Sequence, residues 1–220
     1  MANWIVTGSN RGIGLEMCRQ LHARGDTVFA ACRRTSKELD AIGCKVIEGV
    51  DVADDAAGRT LLEALGDAKI DVLVNNAGVL VGDQLATLDF EAMKRQYDVN
   101  TIGPLRVTAA LLPRLGRGAK IGFVSSRAGS IGDGPSGGLY GYRVSKAALN
   151  MAGVNLARDL ASKGILVALL HPGFVRTEMT GGAGNEDPPA AARGLLARLD
   201  ELTPDKSGHF FHANGQELPW

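Results

Sequence analysis

Short apolar runs rich in β-branched residues alternate along the chain with longer segments in which apolar residues recur every three or four positions. The apolar runs predict strands at residues 4–6, 27–31, 45–47, 72–74, 121–125 and 166–170. The periodic segments predict helices at residues 14–24, 54–65, 90–112 and 142–162. Because this alternation is typical of βαβ units, we predict a doubly wound α/β fold, with a mostly parallel sheet flanked by helices on both faces.

Two stretches are expected to interrupt this pattern. Pro104 lies inside the third helical segment, where its ring and missing N–H should kink or restart the helix. Residues 180–189 read T-G-G-A-G-N-E-D-P-P, a composition that resists packing. We expect a substrate loop at residues 178–190, with a plain surface connection as the alternative. With no domain boundary in between, residues 1–220 are expected to form a single domain.

Charge and cysteine content narrow the classes of partner. Lys plus Arg and Asp plus Glu number 24 each, so no global field attracts nucleic acid or an anionic membrane. The three cysteines form no C-x-x-C pair and the four histidines are scattered, which argues against a metal site and favours a cytoplasmic location. Met1 leads almost directly into the first strand and no apolar run approaches a membrane span, so we expect neither a signal peptide nor a membrane partner.

A glycine-rich turn, T-G-S-N-R-G-I-G at residues 7–14, joins the first strand to the first helix. Such a turn lets backbone N–H groups approach a pyrophosphate at the positive end of the helix. We expect Gly8 to permit the tight turn, Gly12 the close approach and Gly14 the helix packing. The candidate nucleotide contacts here are Gly8, Asn10, Arg11, Gly12, Ile13 and Gly14. Glycine also punctuates many turns that bind nothing, so this motif alone does not decide the function.

The end of the second strand indicates which nucleotide is bound. An NAD site normally places an Asp or Glu there to bond the ribose 2′-OH, whereas Arg33 and Arg34 follow Cys32 here. Together with Arg11 they could grip a 2′-phosphate, each charge-assisted bond contributing about 1.5–3 kcal/mol. We therefore predict that NADP(H) is preferred over NAD(H), and solvated surface arginines are the alternative.

Residues just beyond the third strand are candidates for the adenine site. Asp51 and Val52 are expected beside the adenine, with the Asp51 carboxylate accepting from its amino group. A helix N-terminal acid is the alternative interpretation of Asp51, and both can hold.

A tyrosine and a lysine four residues apart, Tyr142 and Lys146, lie in a predicted helix and project from one face. The positive charge should lower the pKa of the phenol towards the working range, so that Tyr142 can act as acid or base. The Y-x-x-x-K pattern also occurs by chance. However, N-N-A-G at residues 75–78, the S-S pair at residues 125–126 and P-G at residues 172–173 each follow a strand, and in a parallel sheet these ends meet at one edge.

With these motifs in this order, the sequence resembles the classical short-chain dehydrogenase/reductase family over nearly all of its length. Within the family it looks closest to the C-factor/sniffer-like carbonyl reductase branch, judging by V-F-A-A-C-R at residues 28–33, H-P-G-F-V-R-T at residues 171–177 and the ending E-L-P-W. The resemblance implies a Rossmann-like fold and an oxidoreductase that transfers a hydride between NADP(H) and a small carbonyl or alcohol substrate.

The resemblance also implies catalytic roles. Tyr142 would exchange a proton with the substrate oxygen, Lys146 would hold the nicotinamide ribose, Ser126 would donate to the substrate oxygen, and Asn100 would hold a water that relays protons to Lys146. Ser126 lies 16 residues before Tyr142, a longer separation than the family commonly has, with G-D-G-P-S-G-G at residues 132–138 between them. We interpret the extra length as a loop insertion that reshapes the pocket.

Further implications concern the choice of serine, the cofactor and assembly. Ser125 and Ser130 compete with Ser126 for the catalytic role. The remaining cofactor contacts implied by the resemblance are Asn76, Ala77, Gly78, Pro172, Gly173, Val175 and Thr177. A homodimer or homotetramer is expected from helix pairing between subunits. The alternative function is a catalytically silent, NADP(H)-binding regulatory or signalling protein of the same fold.

Overall fold

Parallel strands form one continuous sheet in the computed structural model of the chain, which describes residues 1–134 and 136–220. Pro135, within the predicted loop insertion, lies outside the described residues. The strands are β1 Asn3–Thr7, β2 Thr27–Ala31, β3 Lys45–Ile47, β4 Ile70–Asn75, β5 Leu115–Val124, β6 Leu166–His171 and β7 Phe210–His212. Their order is β3-β2-β1-β4-β5-β6-β7, so the direction of winding reverses between β1 and β4. Ligands of such sheets bind at this switch point, beyond the carboxyl ends of the strands.

Helices cover both faces of the sheet, as predicted. They are α1 Gly12–Ala23, α2 Lys37–Asp40, α3 Ala57–Leu65, α4 Phe90–Tyr97, α5 Gly103–Leu111, α6 Tyr140–Leu160 and α7 Pro188–Asp200. Apolar residues of α3, α5 and α6 share one core with the sheet, and those of α1, α2 and α7 share the other. The doubly wound, Rossmann-like α/β fold is therefore confirmed.

Alternation along the central strands creates the two cores. Ile5 of β1 lies in the core under α3, α5 and α6, whereas its neighbours Trp4 and Val6 lie in the opposite core. All three side chains are almost fully buried. Because successive side chains of a strand point to opposite faces, a strand buried on both sides must be apolar throughout, as these runs are.

The helical segment predicted at residues 90–112 is interrupted next to Pro104, where a kink or restart was expected. The structure divides it into α4, a π-helical turn at Asp98–Ile102, and α5. Pro104 lies in the first turn of α5, where its missing N–H costs nothing. The break places Asn100 in the π-helical turn, and such turns often occur at functional sites.

The sequence analysis did not predict α7. This helix begins at Pro188, so the last three residues of the predicted loop at residues 178–190 are helical. Two consecutive prolines were interpreted as loop composition, although proline is well suited to the first turn of a helix. Leu195 and Leu199 of α7 are fully buried against the sheet. Whether the rest of this segment contacts substrate stays a prediction.

Within residues 1–134 and 136–220, we find no helix with both the length and the apolar character needed to cross a membrane.

Candidate active site

The glycine turn between β1 and α1 has a backbone that only small residues can adopt. Gly8 and Gly12 have φ angles of +67° and +55°, in the left-handed region that favours glycine. A Cβ on Gly14 would lie 2.3 Å from the carbonyl oxygen of Gly8, so this position admits no side chain. Helix α1 starts at Gly12, and the preceding Arg11 provides no side-chain cap to its first turn. The backbone N–H groups in the first turn of α1 are donors of the kind that hold a phosphate.

Hydrogen bonds from the end of β4 brace this turn. The Thr7 hydroxyl accepts from the backbone N–H groups of Asn76 and Ala77 at 3.0 and 3.1 Å. The side-chain amide nitrogen of Asn76 donates to the carbonyl oxygens of Thr7 and Gly8 at 3.0 and 3.1 Å. The Asn76 side chain, predicted to line the cofactor, is thus used to hold the turn in shape.

The end of β2 is tied to the same turn. The amide nitrogen of Asn10 donates to the carbonyl oxygen of Arg34 at 3.0 Å, and the Ser36 hydroxyl donates to that of Asn10 at 2.8 Å. Arg33 and Arg34 are exposed, and among the described residues neither has an ion-pair partner. The third arginine, Arg11, forms an ion pair with Glu178.

Beyond β3, Asp51 and Val52 occupy different environments. The Asp51 carboxylate accepts from the backbone N–H of Ala53 at 3.1 Å, and α3 begins only at Ala57, so Asp51 caps a turn and is not the helix N-terminal acid of the alternative interpretation. Val52 is 5% exposed, and a Cβ on Gly103 would lie 2.9 Å from both its side chain and its carbonyl oxygen. The Val52 side chain therefore packs against the start of α5.

The segment after β6 returns to the glycine turn. Gly173 has a φ of +93°, which turns the chain after Pro172. Val175 is buried, and its carbonyl oxygen accepts from the Thr180 hydroxyl at 2.9 Å. The Thr177 methyl lies 3.5 Å from the position of a Cβ on Gly12. Parts of the chain more than 150 residues apart thus meet at the phosphate-binding turn.

Tyr142 and Lys146 lie one turn apart on α6, beside the end of β5. The Lys146 side chain is almost fully buried, and its Nζ lies 5.8 Å from the centre of the Tyr142 ring. This Nζ donates to the carbonyl oxygen of Val124, the last residue of β5, at 2.8 Å. Ser126 follows β5, and its hydroxyl lies near enough to the Tyr142 phenol to lower the pKa of that phenol. The longer loop between Ser126 and Tyr142 therefore does not keep them apart.

Burial controls the ionisation of both α6 groups. Burial raises the pKa of Tyr142 above its usual value, and the hydrogen bond with Ser126 partly opposes the rise. Burial also lowers the pKa of Lys146 to about 8. The expectation that Lys146 lowers the pKa of Tyr142 is not met in this cofactor-free chain, where burial raises that pKa.

The two competing serines are occupied elsewhere. Ser125 is 2% exposed, and its hydroxyl donates to Asn150 at 2.6 Å. Ser130 is 4% exposed, and its hydroxyl accepts from the backbone N–H of Asp133 at 3.1 Å. The Ser126 hydroxyl also accepts from a backbone N–H, that of Ala128 at 3.2 Å, but Ser126 is only half-buried and lies beside the phenol, which favours it over both.

Asn100 joins α6 to the segment after β4. Its amide nitrogen donates to the Val79 carbonyl at 2.9 Å and to the Ser145 hydroxyl at 3.0 Å, and its amide oxygen accepts from the Val79 N–H at 2.8 Å. Ser145 in turn donates to the carbonyl oxygen of Tyr142 at 2.7 Å. A Cβ on Gly78 would lie 3.2 Å from the Asn100 oxygen. Both N–H groups of the Asn100 amide are used, whereas its oxygen accepts a single bond, and the water-holding role of Asn100 stays a prediction.

Several polar residues at this edge were missed by the sequence analysis. Thr7, Asp83, Gln96 and Ser145 are all buried and hydrogen-bonded to segments that carry candidate site residues. Thr7 stood inside the glycine-turn motif and Ser145 stood between the tyrosine and the lysine, but neither was singled out. Asp83 and Gln96 lack a local signal because their partners are distant in sequence. Among the described residues, no group of three or more His, Cys, Asp or Glu side chains is arranged to hold a metal ion.

Comparisons with known sequences agree with this arrangement. A family model described as short chain dehydrogenase matches residues 2–188. The chain is 43% identical over 226 residues to 1-hydroxy-2-glutathionyl-2-methyl-3-butene dehydrogenase of Rhodococcus sp. (strain AD45), with both chains fully covered. It is 46% identical over 154 residues to the C-signal of Myxococcus xanthus, a match that spans 69% of this chain and 93% of the relative.

Solved structures are similar over the same extent. The NADPH-bound carbonyl reductase from chicken fatty liver superposes with a TM-score of 0.89 at 30% identity, covering 100% of this chain and 99% of the other. The carbonyl reductase Sniffer of D. melanogaster superposes with a TM-score of 0.90 at 27% identity, covering both chains fully. The chain therefore belongs to the short-chain dehydrogenase/reductase family, in its C-factor/sniffer-like carbonyl reductase branch, and is an NAD(P)-dependent oxidoreductase.

Proposed function

We propose that the chain is an NADP(H)-dependent oxidoreductase that transfers a hydride between nicotinamide and a carbonyl or alcohol, with Tyr142 as general acid and base. The observation that carries the proposal is the meeting of three side chains at one sheet edge. The Tyr142 phenol contacts the Ser126 hydroxyl, and the Lys146 ammonium lies 5.8 Å from the phenol ring. The phosphate-binding turn opens on the same edge, because it follows β1, and β1 runs parallel to β4 and β5 in the same sheet.

The glycine turn suits a dinucleotide. Its left-handed glycines expose backbone, and the start of α1 has no side-chain cap from Arg11, which leaves N–H groups for a pyrophosphate. Thr177 and the P-G-x-V-x-T segment would border the nicotinamide end. When bound, the nicotinamide supplies or accepts the hydride. The chain contributes orientation and the proton.

Tyr142 and Ser126 would handle the charge on the substrate oxygen. During reduction the phenol donates its proton to the carbonyl oxygen, and the Ser126 hydroxyl donates a hydrogen bond as negative charge develops there. The phenol is protonated at neutral pH, as the acid role requires, and its raised pKa in the cofactor-free chain opposes formation of the phenolate. During oxidation the same phenol, once deprotonated, takes the hydroxyl proton. Lys146 holds the nicotinamide ribose and supplies positive charge beside the phenolate.

Arginines at the end of β2 support a preference for NADP(H). Arg33 and Arg34 are exposed, and the residues that end β2 include no carboxylate to bond a 2′-OH. A single charge-assisted bond to a 2′-phosphate, at about 1.5–3 kcal/mol, amounts to a preference of roughly tenfold to 150-fold. The carbonyl reductase from chicken fatty liver is described as NADPH bound, in keeping with this proposal.

Exposed apolar side chains surround the proposed entrance. They lie on the loops that follow β4, β5 and β6 and are Val81, Leu85, Ile131, Phe174 and Met179. Loops at the carboxyl ends of parallel strands usually form the substrate pocket. A small molecule with an apolar body next to its carbonyl or alcohol group therefore fits this site best.

The proposal includes a homo-oligomer. The outer face of α6 presents small residues together with Met151, whose side chain is 62% exposed. Together with residues of α4 and α5 it borders a groove in which another helix can pack. Sedimentation velocity of the purified chain measures the assembly directly.

A second candidate function, a dinucleotide-binding signalling protein without turnover, is favoured by the match to the C-signal of Myxococcus xanthus. It predicts nucleotide binding with no turnover of any carbonyl or alcohol. The presence of Ser126, Tyr142 and Lys146 close together at one sheet edge favours the enzyme, since a protein without turnover has no need to keep all three.

The test is nucleotide turnover by the purified chain against a panel of aldehydes, ketones and quinones, and of alcohols in the reverse direction. We expect a kcat/KM with NADPH at least about tenfold above that with NADH. Tyr142→Phe should keep NADPH affinity within about twofold and lose about 10²–10⁴-fold in kcat. Tyr97→Phe, at an exposed tyrosine, is the matched control. Full activity of Tyr142→Phe would overturn the mechanism, and NADPH binding without any turnover would favour the signalling candidate.

A further inference from the structure

We propose that Asp83 is a positioning residue for proton transfer: its carboxylate holds the first turn of α6 and so places the Tyr142 phenol against Ser126. This inference rests on the proposed function, in which Tyr142 is the acid and base. Asp83 lies in the segment between β4 and α4, and it matches no motif of the sequence analysis. It is only 8% exposed.

The Asp83 carboxylate caps α6 from a distance. One oxygen accepts from the backbone N–H of Tyr140, and the other accepts from that of Gly141 at 3.0 Å. These are the first two residues of α6, and the preceding residue, Leu139, provides no side-chain cap. A carboxylate at this end satisfies unpaired N–H groups and complements the helix dipole. The cap is supplied by a residue 57 positions earlier, so it depends on the tertiary fold.

The backbone just before α6 is held in a disfavoured conformation. Leu139 has a φ of +52°, and it is the one non-glycine residue with a positive φ in residues 1–134 and 136–220. Its N–H donates to the carbonyl oxygen of Asp83 at 3.0 Å. L side chains avoid this region, and such residues persist where the surroundings hold them, often near active sites. Asp83 thus grips three consecutive N–H groups across the entry to α6.

The segment that carries Asp83 is itself anchored. Val79 is hydrogen-bonded to Asn100, as described above, and the Val81 N–H donates to the fully buried Gln96 at 2.9 Å. A Cβ on Gly141 would lie 2.4 Å from the Gln96 amide nitrogen, so Gln96 also packs directly on the first turn of α6. Asp83 is therefore fixed relative to β4 and α4, and it transmits that position to α6.

Tyr142 is the group most sensitive to this cap. It lies in the first turn of α6, and the Cα–Cβ bond of a helical residue tilts towards the N-terminus. Ser126, its partner, is fixed by β5, so a shift of the first turn changes the geometry between phenol and hydroxyl. Lys146 lies one turn further on and is tied to Val124. Loss of the cap should impair proton transfer while leaving the nucleotide site in place.

The experiment compares Asp83→Ala and Asp83→Asn with Asp89→Ala. Asp89 is an exposed residue that caps α4 by the same chemistry, accepting from the N–H groups of Glu91 and Ala92 at 3.0 Å each. We expect Asp83→Ala to lower kcat roughly 10- to 100-fold with the NADPH dissociation constant changed less than about twofold. The kcat of Asp83→Asn should lie between those of the wild type and Asp83→Ala, because the amide keeps one oxygen acceptor. Asp89→Ala should leave kcat unchanged.

Adding Leu139→Gly to Asp83→Ala should recover kcat several-fold, because glycine adopts a positive φ without the cap. Unchanged kcat in Asp83→Ala, parallel loss of kcat and NADPH affinity, or no recovery with Leu139→Gly would overturn the proposal. If Asp83→Ala does not fold, Asp83→Asn decides: faster amide hydrogen exchange at Tyr140 and Gly141 together with full kcat would overturn it. Failure of the proposed function is distinguishable, because it shows as full activity of Tyr142→Phe.

Discussion

The glycine turn and the site around Tyr142 lie on the same edge of the sheet but are built by different means. The turn depends on backbone: left-handed glycines, and a position at Gly14 where a Cβ would meet the Gly8 carbonyl at 2.3 Å. The Tyr142 site depends on buried side chains from separate elements, with Asn100 and Lys146 both nearly inaccessible to solvent. The glycine turn thus meets a steric requirement that is visible in a short stretch of sequence. The Tyr142 site depends on polar contacts between residues that are distant in sequence.

The two regions also differ in their electrostatic cost. Around the turn, the arginines at the end of β2 remain hydrated and exposed. At the Tyr142 site, burial raises the pKa of the phenol and lowers the pKa of Lys146 to about 8, so ionisation of either group is opposed. The catalytic region should therefore trade stability for function, whereas the turn should support both.

Replacement of Gly14 should break the turn with the largest effect. Gly14→Ala places a Cβ against the backbone oxygen of Gly8, so we expect a loss of about 3–5 kcal/mol in the free energy of unfolding. NADPH affinity should fall by more than about 100-fold, since the turn cannot keep its shape. Chemical denaturation and fluorescence titration measure the two effects. Gly116→Ala, on an exposed glycine with no neighbouring atom within 4 Å, is the control. Equal effects of both variants would contradict the steric account.

Replacement of Asn100 should break the catalytic region next. Asn100→Ala removes the partner of the Val79 N–H and carbonyl and one of the two hydrogen bonds of the Ser145 hydroxyl, which should cost about 3 kcal/mol of stability. We expect kcat to fall about 10- to 100-fold, because the tie between the post-β4 segment and α6 is lost. NADPH affinity should change little. The exposed Asn155→Ala serves as control, and a variant that lost nucleotide affinity while keeping kcat would reverse this assignment of roles.

Replacement of Lys146 should have the smallest effect on the free energy of unfolding. Unlike the two preceding variants, it should raise that free energy, which sharpens the contrast between the two regions. Because the folded pKa is lowered, the unfolded chain binds the proton more tightly. Below pH 8 the buried charge of Lys146 therefore lowers the unfolding free energy of the wild type by its full amount. This loss of stability becomes smaller as the pH rises from 8 to 10.5. Lys146→Met should inactivate the enzyme yet raise the unfolding free energy of the cofactor-free chain by about 2 kcal/mol at pH 7. Urea titrations at pH 7 and 10 measure the difference. A gain that grows with pH, or an equal gain in the exposed Lys163→Met, would contradict this explanation.

Much of the fold was predictable because its signals are local. The predicted strands at residues 27–31 and 45–47 coincide with β2 and β3, since apolar runs bounded by turn residues have little choice of structure. The errors came where position outweighed composition. Pro188 was interpreted as part of a loop, yet it starts α7, because proline is well suited to the first turn of a helix.

The candidate site was predictable in its membership and less so in its contacts. The glycines, Ser126, Tyr142 and Lys146 stand in motifs with short spacing, so their identity could be assigned without coordinates. The partners of Asn76 and the cap from Asp83 could not, because the bonded atoms are separated by 57 or more residues.

The sequence by itself determined the alternation of strands and helices, the positions that exclude a side chain and the chemical groups at the sheet edge, because these follow from local sterics and periodicity. Only the tertiary structure decided which serine meets Tyr142, which way burial moves the pKa values of Tyr142 and Lys146, and which carboxylate holds α6. Each of these depends on desolvation and hydrogen bonds between distant segments, and both arise only when the chain is packed.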